Sequence, residues 1–232
     1  MSDMPRIWAV VPAAGTGSRM NSALPKQYLE LAGKPVICHV LEAFDRHPRM
    51  AGTVIALAGG DQNWAAIRPP LNKPLYQVTG GATRMQSVIN GLNFLSGHTD
   101  PGDWVMVHDA ARPCLTHGDL DRLIATLFEH SVGGLLGVRI ADTVKRVDAQ
   151  GGVKETLDRS QLWRAFTPQM FRIGMLHAAL TDAAAHQCEV TDEAAGMERL
   201  GYTPVMVEGR TDNIKITHAH DLAIAEFYLN HL

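Results

Sequence analysis

The 232-residue sequence has few cysteines, few aromatic residues and no long apolar run. Its three cysteines, Cys38, Cys114 and Cys188, are widely spaced and form no CxxC pair of the kind that zinc or redox sites use, so we expect buried free thiols. No apolar stretch approaches the roughly 20 residues that a membrane-spanning helix needs. The first residues, MSDMPRIW, show no signal-peptide pattern. A cytoplasmic protein is therefore expected.

The sequence also lacks an excess of positive charge. Its formal net charge is -3, whereas a general nucleic-acid binder needs a clustered positive surface, so we expect no nucleic-acid partner. Any bound anion must be met by a local group of cations. Hydrophobic residues make up 46% and charged residues 19% of the chain, which is typical of a globular domain. We expect one domain over residues 1–232.

Apolar runs typical of strands alternate with stripes typical of helices. Most of the runs are continuous rather than alternating, as in strands that are covered on both faces. The predicted strands are 7–13, 52–58, 75–80, 103–110, 132–138 and 203–209, and the predicted helices cover 36–44, 85–95, 120–128, 173–185, 192–200 and the residues after Thr217. This order predicts an α/β domain with a mostly parallel sheet between two layers of helices, a Rossmann-like three-layer fold.

The alternation of strands and helices fails between residues 141 and 171. Within this span VKRVD and VKETL flank the turn sequence AQGG, which predicts a β-hairpin that leaves the main sheet. A lone two-stranded hairpin is only marginally stable in water. We therefore expect this arm to pack on a second copy of the chain, with folding back onto its own domain as the alternative.

A glycine-rich loop follows the first predicted strand, in VVPAAGTGSRMNSALPKQ at residues 10–27. A dinucleotide-binding GxGxxG loop needs a third glycine, but Met20 stands there after Gly15 and Gly17. A P-loop needs a lysine directly after its last glycine, and none is present. The loop instead suits a triphosphate held by convergent backbone N–H groups.

Arg19 and Lys26 add two full positive charges to this loop. A tight strand-to-helix turn with two surface cations is the alternative, and for a lone GxG it would be preferred. The arginine and the Pro-Lys pair together favour a functional phosphate site.

Eight segments together resemble one enzyme family. PAAGTGSRM with PKQY is similar to the signature of nucleotidyltransferases, which join a nucleoside triphosphate to a phosphorylated sugar or polyol. The other segments are GGATRMQSV (80–88), VHDAARP (107–113), DTVKR (142–146), LDRSQLW (157–163), FTPQ (166–169), VTDEA (190–194) and EGRTDNIKIT (208–217). In this order and spacing they resemble the 2-C-methyl-D-erythritol 4-phosphate cytidylyltransferases of the non-mevalonate isoprenoid pathway. The resemblance implies the nucleotidyltransferase version of the predicted fold and a homodimer formed through the arm.

The implied reaction joins CTP to 2-C-methyl-D-erythritol 4-phosphate and releases pyrophosphate. A phosphate monoester with a second pKa of about 6 is already mostly a dianion at neutral pH, so the attack needs no general base. The difficulty is that two anions must meet while charge builds on the leaving pyrophosphate, so cations should carry the catalysis.

The resemblance also implies roles for individual residues. The implied catalytic residues are Arg19 and Lys26, on the CTP side, and Arg159 and Lys215, on the acceptor phosphate. The implied nucleotide-binding residues are Pro12, Ala13, Ala14, Gly15, Thr16, Gly17, Gly81, Arg84, Ser87, Asp109 and Ala110, with Gly81, Arg84 and Ser87 at the cytosine base. The implied acceptor-binding residues are Arg112, Thr143, Arg159, Thr167, Thr191 and Lys215.

Asp109 follows a predicted strand at its carboxyl end, where open α/β sheets bind ligands. We expect it to contact ribose or a hydrated Mg²⁺, because Mg²⁺ is bound mainly through substrate phosphates, waters and few carboxylates. His108 is expected to be a hydrogen-bonded strand-end histidine rather than a ligand. Asp192 and Glu193 are expected to cap a helix rather than to catalyse.

One position departs from the family pattern: Arg139 stands where many members have the proline of P-V-x-D-T. We expect its charge to be solvated, and the geometry of the acceptor loop stays open. Three other functions match parts of the sequence to different degrees. A ribitol 5-phosphate cytidylyltransferase shares most of the motifs, a regulatory module with a dead site conflicts with the complete set of cations, and a nicotinamide-dependent dehydrogenase conflicts with Met20.

Overall fold

The structure is a computed structural model that describes residues 4–15 and 24–231. Its strands are β1 (Ile7–Pro12), β2 (Glu30–Leu31), β3 (Lys34–Pro35), β4 (Met50–Leu57), β5 (Leu75–Thr79), β6 (Trp104–Val107), β7 (Gly133–Arg139), β8 (Val144–Val147), β9 (Val153–Leu157), β10 (Trp163–Arg172) and β11 (Val205–Glu208). Its α-helices are α1 (Val36–Arg46), α2 (Gln62–Ile67), α3 (Arg84–Ser96), α4 (His117–Leu127), α5 (Ile173–Ala185), α6 (Glu193–Arg199) and α7 (His220–Leu229). Short 3₁₀ helices cover Lys26–Tyr28 and Arg159–Gln161.

Seven of the strands form one central sheet in the order β11-β7-β10-β6-β1-β4-β5. Strand β10 runs antiparallel to both of its neighbours, and the other pairs are parallel. The predicted α/β class with a mostly parallel sheet is confirmed.

Strand β1 shows why the predicted strands are apolar along their whole length. Ile7, Ala9 and Val11 pack into a core that includes side chains of α1 and α4. Trp8 and Val10 face the opposite side, in a core that includes side chains of α3, α5 and α6. Helices cover both faces of the sheet, so neither set of alternating residues meets water.

Strand β10 is the main element that the sequence pattern did not predict. Its ten residues lie at the centre of the sheet, between β6 and β7. Proline disfavours a central strand because it cannot donate to the ladder. Here Pro168 lies where the pairing with β7 shifts register, between Ala165 and Gln169, so the ladder is interrupted at the residue that cannot support it.

The predicted arm is a separate two-stranded sheet made of β8 and β9. Asp148 closes its turn by accepting hydrogen bonds from the backbone N–H groups of Gln150 and Gly152. The paired residues Val147 and Val153 are 51% and 65% exposed, so the arm presents apolar side chains that its own chain leaves uncovered.

The prediction of buried thiols is correct for two of the three cysteines. Cys38 and Cys114 are buried, whereas Cys188 is half-buried in the turn after α5. It was wrongly expected in the core because its spacing gives no information on burial. Within residues 4–15 and 24–231, no helix has the length and apolar character needed to cross a bilayer.

Candidate active site

A cavity of about 360 Å³ opens at the carboxyl ends of the central strands. The loops after β1, β5 and β6 form its walls, as expected for a ligand site in an open α/β sheet. Its described lining residues are Pro12, Ala13, Ala14, Gly15, Lys26, Gln27, Gly81, Ala82, Thr83, Arg84, Ser87, Asp109, Ala110, Ala111, Lys215 and Thr217. We call this the nucleotide cavity.

The structure brings together the predicted nucleotide-binding residues that it describes. Pro12, Ala13, Ala14, Gly15, Gly81, Arg84, Ser87, Asp109 and Ala110 all line the nucleotide cavity, and so do Lys26 and Lys215. The predicted residues Thr16, Gly17 and Arg19 lie outside the described residues, as does Met20.

The turn after β5 needs its glycines because the backbone passes very close to other groups. A side chain at Gly80 would meet the Ala14 methyl group and would lie 3.0 Å from the Ser87 hydroxyl. A side chain at Gly81 would overlap Gln86. Ser87 Oγ accepts a hydrogen bond from Gly81 N at 3.1 Å and donates to Thr83 O at 3.0 Å. The turn therefore presents backbone to the cavity at close range.

The sequence interpretation missed the role of Gln27 in the loop after β1. Its buried Nε2 donates to Ala13 O at 2.8 Å and to Gly15 O at 3.1 Å. The neighbouring Lys26 donates to Ile216 O at 3.1 Å, which joins this loop to the segment before α7. The sequence did contain a sign of this role, because Gln27 directly follows Lys26 in the PKQY motif.

Asp109 is the centre of the charge at the floor of the cavity. Its Oδ1 accepts from Arg84 Nε at 2.8 Å, and its Oδ2 lies 2.7 Å from Lys215 Nζ and 3.6 Å from Arg112 Nε. Burial alone would raise the pKa of Asp109, but these cations, Arg84 foremost, lower that pKa well below its ordinary value. Asp109 is therefore ionised throughout the neutral range.

Arg84 is held from two sides. Besides Asp109, it donates through Nη1 to Glu193 Oε1 at 2.6 Å and through Nη2 to Glu193 Oε2 at 3.2 Å. Burial disfavours the charged guanidinium, but the two carboxylates outweigh this effect and raise the pKa of Arg84. Arg84 lines the cavity as predicted, with its guanidinium engaged by carboxylates.

The two acidic residues at the start of α6 have different roles. Asp192 caps the helix, as predicted, and accepts from Ala195 N at 2.9 Å. Glu193 was expected to act with it as a cap, but its carboxylate is buried against Arg84. No local pattern could indicate the pairing of Glu193 with Arg84, because the two residues are 109 positions apart.

His108 and Thr167 support the loop that carries Asp109. Thr167 Oγ1 accepts from Asp109 N at 3.1 Å and lies 3.0 Å from His108 Nδ1, while His108 Nε2 lies 3.0 Å from Arg112 O. Burial is the main cause that lowers the pKa of His108 to about 4. The neutral ring thus donates through Nε2 and accepts from Thr167 at Nδ1, and the expected hydrogen-bonded strand-end histidine is confirmed.

A second cavity of about 680 Å³ lies beside the first. Lys215 lines both cavities, and the other cations in the wall of the second are Arg112, Arg139 and Arg164. Arg139 stacks on Trp163, with its guanidinium carbon 4.8 Å from the ring centroid. We call this space the acceptor-side cavity.

The predicted acceptor-binding residues are only partly brought together. Arg112 and Lys215 line the acceptor-side cavity. Thr143 and Arg159 are exposed near the base of the arm, and Arg159 donates to Ala141 O. Neither cavity is lined by the four other predicted acceptor contacts, Thr143, Arg159, Thr167 and Thr191. The buried Thr167 hydroxyl was expected to face the acceptor, but it is used by the Asp109 loop.

The described residues hold no cluster of three or more His, Cys, Asp or Glu side chains suited to a metal. Asp109 supplies the carboxylate in the described wall of the nucleotide cavity. One carboxylate fits Mg²⁺, which usually keeps several waters and binds through one or two carboxylates plus substrate phosphates. This donor set does not fit a transition metal that needs several protein ligands.

Comparisons with known proteins agree with the eight motifs. The family model described as IspD, 2-C-methyl-D-erythritol 4-phosphate cytidylyltransferase, matches residues 7–231. A protein of that name from Pseudomonas aeruginosa is 52% identical over 222 residues, 95% of this chain and 95% of the relative. One from Pseudomonas savastanoi pv. phaseolicola is 50% identical over 221 residues, 94% of this chain and 93% of the relative.

Solved structures agree as well. The crystal structure of the Francisella tularensis enzyme of this name has a TM-score of 0.82 and 35% identity, and the match covers 96% of this chain and 99% of that one. The Thermus thermophilus enzyme has a TM-score of 0.77 and 28% identity, with 97% and 98% covered. The predicted family and enzyme class are confirmed, and the chain belongs to the 2-C-methyl-D-erythritol 4-phosphate cytidylyltransferase family.

Proposed function

We propose that the chain transfers CMP from CTP to 2-C-methyl-D-erythritol 4-phosphate. The products are 4-diphosphocytidyl-2-C-methyl-D-erythritol and pyrophosphate, within the non-mevalonate route to isoprenoid precursors. The observation that carries the proposal is the nucleotide cavity, in which the loops after β1, β5 and β6 meet Lys26 and Lys215 in a chain of this family. We further propose a cytoplasmic location, since both substrates are charged metabolites that do not cross membranes unaided.

The chemistry needs charge stabilisation rather than proton transfer. An oxygen of the acceptor phosphate forms a bond to the α-phosphorus of CTP, and the bond from that phosphorus to the bridging oxygen breaks. Pyrophosphate leaves with the electron pair of the broken bond. The acceptor phosphate is already mostly a dianion at pH 7, so no base is required. The two candidate bases near the cavity agree with this, because His108 is fully buried and Asp109 is paired with cations.

We assign the nucleotide to the first cavity. The turn at Gly81 and Ser87 in the first turn of α3 would meet the cytosine base, and the loop after β1 would meet the phosphates. Lys26 and, by family resemblance, Arg19 would stabilise the charge that develops on the α-phosphoryl oxygens and the leaving pyrophosphate. Preorganised cations act strongly in such a site because little reorganisation is needed when the charge develops.

Lys215 lies where the two substrates would meet. Its ammonium group is 2.7 Å from Asp109 Oδ2, and its side chain lines both cavities. A cation shared by the two spaces reduces the repulsion between the acceptor phosphate and the triphosphate. We propose that Lys215 and Arg112 orient the acceptor phosphate, and that Asp109 fixes Lys215 in place.

Mg²⁺ is the proposed cofactor, and Asp109 is the residue that would hold it, directly or through water. When bound, the ion would neutralise part of the phosphate charge. Asp109 can serve it because the carboxylate stays ionised at neutral pH and lines the nucleotide cavity.

We also propose that two chains form a homodimer through the arm. The hairpin is marginal by itself, and the exposed pair Val147 and Val153 gives it an apolar surface to bury. Pairing would also explain why Arg159 and Thr143 are exposed in the single chain, because an arm can carry its residues to the site of the other copy. Thr191, exposed before α6, stays a proposed acceptor contact on family resemblance alone.

The experiment that tests the reaction measures pyrophosphate release with CTP and Mg²⁺. Methylerythritol 4-phosphate and ribitol 5-phosphate are supplied in parallel, and Lys26→Met serves as the blank for contaminating activity. We expect release with methylerythritol 4-phosphate at a kcat/KM well above that with ribitol 5-phosphate. A preference for ribitol 5-phosphate would refute the proposed acceptor.

A further inference from the structure

The motifs FTPQ and VTDEA meet beneath the nucleotide cavity. Gln169 of the first motif is 1% exposed, and it forms hydrogen bonds with the residues before and after Glu193. Its Oε1 accepts from Ala194 N at 2.8 Å, and its Nε2 donates to Asp192 Oδ2 at 2.9 Å. An N–H donor on one side and a carboxylate on the other allow one orientation of the amide. The start of α6 is therefore fixed to strand β10 at the centre of the sheet.

Glu193 is placed by this attachment. Its side chain is 1% exposed, and neither cavity includes it in its lining. Burying a carboxylate is costly unless it is paired and hydrogen-bonded. Both of its oxygens accept from Arg84, at 2.6 and 3.2 Å, in the bidentate geometry that a guanidinium favours.

The Nε edge of the same guanidinium binds Asp109 at the floor of the nucleotide cavity. Arg84 Nε donates to Asp109 Oδ1 at 2.8 Å, and Asp109 Oδ2 is 2.7 Å from Lys215 Nζ. Glu193, Arg84, Asp109 and Lys215 thus form a row of alternating charge that runs from the core to the cavity. Thr167, in the same motif as Gln169, holds the backbone of Asp109 at 3.1 Å. Strand β10 therefore supports two members of the row, Glu193 through Gln169 and Asp109 through Thr167.

Without the carboxylate of Glu193, this row would lose its fixed end. Arg84 would keep a single carboxylate partner, and its partly exposed side chain could turn toward the phosphates in the cavity. Asp109 would then lose the donor that orients Oδ1, and with it the arrangement that places Lys215. An Arg side chain has many accessible rotamers, so its direction must be held by partners.

We propose that Glu193 is a positioning residue for the nucleotidyl transfer. It touches neither substrate and acts through Arg84, whose guanidinium it holds in the direction that orients Asp109 and Lys215. The inference rests on the proposed function for the reaction, but the part that concerns the nucleotide depends only on CTP binding.

The test is a double-mutant cycle on Glu193→Gln and Arg84→Met. It is measured on CTP affinity by titration calorimetry without acceptor, and on kcat/KM in the transfer assay. Each single variant is expected to lose up to about 100-fold in kcat/KM, the size that a small misplacement of a reacting group can cause. Both residues act through one contact, so their effects should not add. The loss of kcat/KM in the double variant should be no larger than the loss in the more impaired single variant. Losses that multiply would overturn the proposal.

Asp192→Asn is the matched control. Asp192 is the neighbouring carboxylate. It accepts from Gln169 Nε2 and from Ala195 N at the start of the same helix, whereas Arg84 bonds to Glu193 and Asp109. The hydrogen bond from Ala194 N to Gln169 Oε1 remains in this variant and keeps α6 attached to β10. We therefore expect a lower melting temperature, while kcat/KM of the folded protein stays near wild type. An activity loss equal to that of Glu193→Gln would assign the effect to α6 as a whole and refute a role for the carboxylate.

Two further readouts separate the possible failures. If Glu193→Gln does not fold, Glu193→Asp keeps the charge on a side chain one methylene shorter and takes its place in the cycle. If the wild type binds CTP but transfers nothing to methylerythritol 4-phosphate, the proposed reaction fails, while the cycle on CTP affinity still decides the role of Glu193. Coupling in that cycle supports the proposal, and additive effects refute it.

Discussion

The buried His108 should make the free energy of unfolding fall at acid pH. The ring is 0% exposed, and its pKa is lowered to about 4 from an ordinary value of 6.5, mainly by burial. The unfolded chain therefore binds this proton at a higher pH than the folded chain does. The stabilisation that the neutral ring gives is fully present above about pH 6.5 and is lost as the pH falls toward 4.

The size of the effect follows from the difference in pKa. Each unit corresponds to about 1.4 kcal/mol, so the interval from 6.5 to about 4 amounts to roughly 3 kcal/mol of unfolding free energy. The hydrogen bonds explain the loss, because a proton on Nδ1 turns an acceptor into a donor that faces the Thr167 hydroxyl. That hydroxyl already accepts from Asp109 N and would have to redirect its own hydrogen.

The assay compares wild type with His108→Gln by urea unfolding at several values between pH 7.5 and 4.5. The variant is expected to be less stable at pH 7.5, but its stability should fall less steeply below pH 6.5. His39 and His47 also have lowered pKa values, through burial first, and they are common to both proteins, so their contribution cancels in the difference. Parallel curves for the two proteins, or a difference that changes mainly above pH 7, would refute the reasoning.

Three other perturbations test the site and the arm. Lys26→Ala should lower kcat by about 100-fold or more, as loss of a transition-state donor does, whereas Lys215→Ala should mainly raise KM for the acceptor; small and equal effects would contradict these roles. Asp109→Asn removes the carboxylate charge that pairs with Lys215 and Arg112 and should cost about 3 kcal/mol. In a chain of this length that lowers the melting temperature by about 6 to 12 °C, and an unchanged melting temperature would count against the charge network. Val153→Asp should shift the protein from dimer to monomer in sedimentation. The chain should stay folded, because Val153 lies outside the hydrophobic core. An unaltered sedimentation coefficient would show that the arm does not form the interface.

The nucleotide cavity was largely predictable because its walls are continuous segments. Gly15, Gly81 and Asp109 each follow the end of a strand, and parallel strands bring their carboxyl ends to one edge of the sheet. The apolar runs that mark those strands are visible without any long-range information. Strands β1, β5 and β6 therefore follow from local pattern, and so does the meeting of their loops at one edge of the sheet.

The supporting residues were not predictable in this way. Gln27 and Glu193 act through partners that only the folded chain brings near, and Glu193 was read as a cap because acidic residues at a helix start usually are. Strand β10 was missed because Pro168 argues against a central strand unless the break in pairing is known. Arg159 is a different case, because the substrate contact proposed for it involves a second copy of the chain.

The arm leaves and re-enters the sheet at a single point. Strands β7 and β10 are antiparallel neighbours, with Arg139 opposite Trp163 and a hydrogen bond of 3.0 Å from Ile140 N to Leu162 O. Opposed residues in such a pair are about 4.5 to 5.5 Å apart, a gap that a two-residue turn closes. The arm can therefore be excised and replaced by a tight hairpin turn without changing the order of the seven strands. Such a shortened protein would keep the described wall of the nucleotide cavity, so nucleotide binding could be studied in a form that no longer carries the segment for pairing with another copy.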